Sequence, residues 1–89
     1  MSLGTSWDLE IDPSIYRVLR RFPRKDARRI FETIGALPLN PYAGDIQKMN
    51  GEVNTWRRRV ESYRIFYEVL LHERKILVSR VERRTSSTY

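Results

Sequence analysis

Residues 55–83 hold three runs of strand length separated by two short polar turns, and this pattern limits the possible folds most tightly. The runs fall at about 55–60, 63–71 and 75–83 and are rich in valine, isoleucine and aromatic residues. The breaks are Glu61-Ser62 and His72-Glu73-Arg74, short enough to join antiparallel neighbours. A hairpin-connected sheet with one apolar face needs a layer to cover that face.

The N-terminal half supplies such a layer. "TSWDLEI" alternates enough for a first strand, with Trp7, Leu9 and Ile11 on one face. Asp12-Pro13 then starts a helix, an acceptor at the cap followed by proline at the first helical position. Ile15, Val18, Leu19 and Phe22 recur at helical spacing, with Arg17, Arg20 and Arg21 mostly on the other side. Pro23 ends that helix and opens a second, whose apolar stripe is Ala27, Ile30, Phe31, Ile34 and Leu37. The turn-rich segment "PLNPYAGDIQKMNGE" follows, with room for a short strand near Ile46 to Met49. The order β-α-α-β-β-β predicts one α+β domain over residues 1–89: an αα-hairpin packed on one face of a small antiparallel β-sheet. Met1-Ser2-Leu3 reads as a leader without function, and residues 84–89 as a polar tail.

The stretch "TWRRRVESYRIFYEV" carries four arginines within this sheet. Alternation along a strand sorts them. With Glu61-Ser62 as a two-residue turn, Val60 faces Tyr63, Arg59 faces Arg64 and Arg57 faces Phe66. Trp56, Val60, Tyr63, Ile65, Tyr67 and Val69 then share the helix-covered face, while Arg57, Arg59, Arg64, Phe66 and Glu68 point outward. Arg58 falls on the apolar side, where it is expected to snorkel at the sheet edge. Like charges directly opposed across two strands destabilise a sheet. The outward arginines are therefore either a solvated face, with Glu68 as partial counterion, or a site for an anion. Guanidinium forks beside an aromatic ring suit a phosphate and a stacked base, with Phe66 as the stacking surface.

Charge distribution agrees with a one-sided site. Residues 1–54 hold 8 basic and 7 acidic side chains, whereas residues 55–89 hold 9 basic and 4 acidic. The net charge of +6 thus lies mostly in the sheet, which favours a phosphate-bearing or acidic partner. The chain has no cysteine, one histidine and scattered acids, so neither a disulfide nor a metal site is expected. His72 falls in a turn far from the arginines and reads as a solvated residue. With no signal-peptide pattern and no apolar run near the roughly 20 residues needed to span a bilayer, a cytoplasmic protein is expected.

"WRRRVESYRIFYEV" closely resembles the aromatic-R-x-R-V-x-x-YR-x-x-Y signature of the RelE/ParE superfamily of toxin–antitoxin toxins. "LNPYAGDIQKMNGE" resembles that family's loop before the strand, with its N-P, G-D and lysine-and-glycine segments. "RVERRTSSTY" is similar to its last strand and tail. The resemblance spans about residues 5 to 89 and implies a RelE-like fold and a cognate antitoxin, the toxin being monomeric or in a heteromeric complex. It also implies one of two activities. RelE-type members cut mRNA on the ribosome without a cofactor, and ParE-type members poison DNA gyrase. Carried over position by position, the RNA-cleaving set is Arg57, Arg59, Arg64, Arg83 or Arg84, and Tyr89, with Lys48 as a further RNA contact. The chain departs from the family at Glu61 and Glu82, where glycine is common, and the spacing from Arg84 to Tyr89 is about one residue longer. A third possibility is a relative that binds antitoxin and catalyses nothing.

Overall fold

The computed structural model describes residues 7–84. Strand β1 (Asp8–Ile11) leads into helix α1 (Ser14–Arg20), and helix α2 (Arg24–Ala36) follows directly. Strands β2 (Ile46–Lys48), β3 (Thr55–Val60), β4 (Tyr63–Leu70) and β5 (Lys75–Arg83) complete the chain. The five strands form one sheet in the order β1-β5-β4-β3-β2. Among the described residues no helix is long and apolar enough to cross a membrane.

Local chemistry explains the helices. The Asp12 carboxylate accepts hydrogen bonds from the Ser14 N–H at 2.9 Å and its Oγ–H at 2.7 Å, which satisfies donors at the start of α1. Those bonds hold its carboxyl below the ordinary value. Pro23, at the junction, has a φ of −53° and an extended ψ of 142°, so the chain turns there and α2 starts afresh.

The two helices lay Ile15, Leu19, Ile30, Ile34 and Leu37 on the sheet residues Val60, Tyr63, Ile65, Tyr67, Val69, Ile76, Val78 and Val81. Each buried aliphatic side chain contributes about 1.5–3 kcal/mol, so this two-layer contact carries the stability of the fold. Trp7, Leu9 and Ile11 pack against its margin, as their alternation predicts.

Three expectations need correction. The sheet is not wholly antiparallel, because β1 pairs with β5 in parallel register, Leu9 opposite Ile76. Such a pairing joins the two ends of the sequence and leaves no local turn signal. Phe31 is 49% exposed and touches Tyr16 rather than the core, since the stripe on α2 is narrow and Ile30 and Ile34 already fill it. Strand β4 stops at Leu70, and Leu71 stands exposed in the turn with His72.

Candidate functional site

The hairpin of β3 and β4 has the register that strand parity requires. Arg59 pairs with Arg64, Arg57 with Phe66, and Val60 with Tyr63. The turn between them is possible because Glu61 adopts a φ of 54°, the left-handed region that glycine enters most easily. Arg57, Arg59 and Arg64 therefore share the sheet face opposite the helices. Arg57 donates through Nη2 to Gln47 Oε1 at 2.6 Å, its neighbour on β2. Its Nε is buried without a hydrogen-bond partner among the described residues.

Which arginine of the last strand joins them depends on a bulge. The β4–β5 register shifts between Phe66 and Tyr67: Phe66 pairs with Arg80, Tyr67 with Val78, and Ser79 is the extra residue. Alternation flips there. Ile76 and Val78 face the helices, but so do Val81 and, beyond it, Arg83, which lies 5.9 Å from the Tyr63 ring. Arg80 and Glu82 consequently face outward.

Arg84 continues this outward alternation. It lines a cleft of about 160 Å³ together with Arg59, Glu61, Ser62 and Arg64, and its N–H is anchored to the Ser62 carbonyl at 2.6 Å. The structure thus brings Arg57, Arg59, Arg64 and Arg84 to one face and leaves Arg83 on the other.

Positive charge is concentrated on this face. Burial, followed by the like charges of Arg84, Arg57 and Arg59, pushes the Arg64 guanidinium below its ordinary value, against the pull of Glu82. Two acids beside the cleft are engaged elsewhere, Glu61 with Arg29 at 3.1 Å and Glu82 with Arg80 at 3.0 Å, and Glu68 forms no ion pair among the described residues. Among the described residues no carboxylate lies within ion-pair distance of Arg57, Arg59, Arg64 or Arg84. A phosphate in the cleft would relieve this repulsion and accept several charge-assisted hydrogen bonds.

Other sequence candidates are placed differently. Phe66 points outward as expected but is only 6% exposed, with the Arg80 guanidinium carbon 4.1 Å from its ring centroid. Arg80 therefore stands between the Phe66 ring and solvent. Lys48 pairs with Trp56 and so lies on the helix side of the sheet, away from the arginines. Tyr89 lies outside the described residues. His72 is exposed in the β4–β5 turn.

Arg58 does lie at the sheet margin, half-buried, with Nη1 donating to the Ala43 carbonyl at 3.2 Å beneath Gly44. Its role is to hold the 41–45 segment. Gln47 and Arg80 escaped the sequence reading. The only signal for Arg80 was Val81, an apolar residue at odd spacing from Ile76 and Val78.

Comparison with known proteins places this arrangement. Residues 9–87 match the family model described as the ParE toxin of the type II toxin–antitoxin system parDE. A Methanocaldococcus jannaschii protein assigned as toxin RelE1 is 27% identical over 81 residues, which cover 88% of this chain and 90% of that protein. Among solved structures, the archaeal RelE–RelB complex from Pyrococcus horikoshii superposes with a TM-score of 0.76 at 21% identity, covering 92% of this chain and 99% of that one. The RelBE2 toxin–antitoxin complex from Mycobacterium tuberculosis gives 0.76 at 20% identity, covering 89% and 99%. These two establish a shared fold, two helices on a five-stranded, mostly antiparallel sheet. The match over nearly all of the sequence goes further: the chain belongs to the ParE toxin family within the RelE/ParE superfamily, and is a toxin of a type II toxin–antitoxin system.

Proposed function

We propose that this toxin is a metal-independent, ribosome-dependent mRNA endonuclease that inhibits translation in the cytoplasm and is restrained by a cognate antitoxin. The observation that carries the proposal is the group of four outward arginines, Arg57, Arg59, Arg64 and Arg84, three of them around one cleft and none paired with a carboxylate among the described residues. The RelE proteins of Pyrococcus horikoshii and Mycobacterium tuberculosis, solved in complex with their antitoxins, support the antitoxin partner.

RNA supplies its own nucleophile. The 2′-oxygen bonds to the adjacent phosphorus as the bond to the 5′-oxygen breaks, leaving a 2′,3′-cyclic phosphate and a 5′-hydroxyl. One proton leaves the 2′-hydroxyl and one is delivered to the 5′-oxygen. Negative charge grows on the phosphoryl oxygens, and fixed guanidiniums stabilise it without reorganising. Arg64 and Arg59 face each other across the hairpin and flank the phosphate, Arg57 is held ready by Gln47, and Arg84 closes the cleft. Tyr89, outside the described residues, is the candidate base; arginines gathered around a phenol would lower it from its ordinary value near 10.

A second reading, inhibition of DNA gyrase, is favoured by the description of the matching family as the toxin of parDE. Toeprinting of a message on translating ribosomes separates the two. Cleavage within the ribosomal A site, reduced about 10²-fold or more by Arg64→Ala, supports the nuclease. An intact message together with blocked gyrase supercoiling supports the alternative.

A further inference from the structure

We infer that Arg80 and Phe66 form a nucleobase-stacking subsite beside the phosphate cleft. The inference rests on the proposal that the outward face receives RNA.

The Arg80 guanidinium carbon lies 4.1 Å from the centroid of Phe66, a ring that is itself buried. Arg80 Nε is fixed by Glu82 Oε2 at 3.0 Å, so ring contact and ion pair together limit its rotation. Phe66 pairs with Arg57 on one side and Arg80 on the other, and Arg64 pairs with Glu82. Neighbouring strands lie about 4.8 Å apart, so the Arg80 plane sits within one nucleotide of a phosphate held by Arg57 and Arg64. The Arg80 side chain remains 53% exposed.

A guanidinium layered on an aromatic ring offers its far face to a third planar group, and single-stranded RNA binds proteins through such stacking. Glu82 also neutralises Arg80 in part, which makes it a poorer phosphate ligand than its neighbours and a better stacking surface. The contact with Phe66 exists only because the bulge at Ser79 turns Arg80 outward. Stacking tolerates every base but strengthens with ring area, so adenine should exceed uracil.

The test compares the affinity of the full chain for a short oligoadenylate and for its abasic counterpart of equal length. Both probes carry the same phosphates, so their affinity ratio isolates the base. The expected ratio is about tenfold in the parent protein, close to one in Arg80→Ala, and much reduced in Arg80→Lys, which keeps the charge but lacks the planar face. Circular dichroism of the variants checks folding, and Arg80→Lys retains a cation for the Phe66 face if Arg80→Ala unfolds. A ratio near one in the parent, or a tenfold ratio that survives in Arg80→Lys and Arg80→Ala, overturns the stacking subsite while leaving the phosphate cleft standing. Failure of the parent to bind either oligonucleotide overturns both.

Discussion

Gly44→Ala should destabilise the protein by about 3–4 kcal/mol, and more than half of that cost should vanish when Arg58 is also replaced by alanine. Gly44 has a φ of 84°, where an L side chain costs about 1–2 kcal/mol. A Cβ there would also stand 2.4 Å from Arg58 Cζ and 2.5 Å from its Nε, closer than atoms approach. The guanidinium, as the flexible end, must withdraw. Withdrawal breaks its hydrogen bond to the Ala43 carbonyl, a charged bond of about 1.5–3 kcal/mol. The part that belongs to Arg58 is therefore about 2 kcal/mol, and it should appear as the coupling energy of a double-mutant cycle. Urea unfolding of the parent, Gly44→Ala, Arg58→Ala and the double variant measures it. An equal cost of Gly44→Ala in both backgrounds would show that Arg58 is not packed under the loop.

Tyr67 has its phenol pushed up to about 12 by burial, against an ordinary value of 10. The unfolded chain loses this proton first, so stability is full below pH 10 and falls by about 1.4 kcal/mol per pH unit from 10 toward 12. Tyr67→Phe, which forfeits the bond to the Pro41 carbonyl and about 1–2 kcal/mol at neutral pH, should flatten that alkaline limb to the part due to Tyr63; an unchanged slope refutes the assignment. Asp12 behaves oppositely. Its lowered value means stability present above pH 3.8 and lost as pH falls through the folded-state value, so Asp12→Ala should lower Tm at pH 7 and have little effect in strong acid. Gln47→Ala should leave Tm nearly unchanged yet weaken RNA binding, because it frees Arg57 without touching the core; a fall in Tm with unaltered binding would contradict its positioning role.

Most of the site was legible because β-strand parity is local. Once Glu61-Ser62 is read as a two-residue turn, the pairs Arg59–Arg64 and Arg57–Phe66 follow, and both are present. The extra residue at Ser79 was not legible, since a bulge depends on how β5 meets its partner. That one residue decides that Arg84 rather than Arg83 joins the cleft, and that Arg80 covers Phe66. The face of Lys48 was not legible for a similar reason: it depends on the register of a three-residue edge strand. The parallel β1–β5 pair joins the two ends of the sequence, and no neighbouring turn announces it. Arg58, an anomaly when the strand is read alone, makes sense once the 41–45 segment lies across it.

The central claim is that Arg57, Arg59, Arg64 and Arg84 together take RNA phosphate on the outward face, and the salt dependence of RNA binding tests it most directly. Single-stranded RNA gives a slope of log K against log salt of about −0.7 per phosphate neutralised, so four arginines predict about −2.8. Replacing Arg59 and Arg64 by glutamine should reduce the slope to about −1.4. A slope unchanged by those substitutions, but halved when Arg17 and Arg20 on α1 are replaced, would place the RNA on the helix layer and contradict the claim.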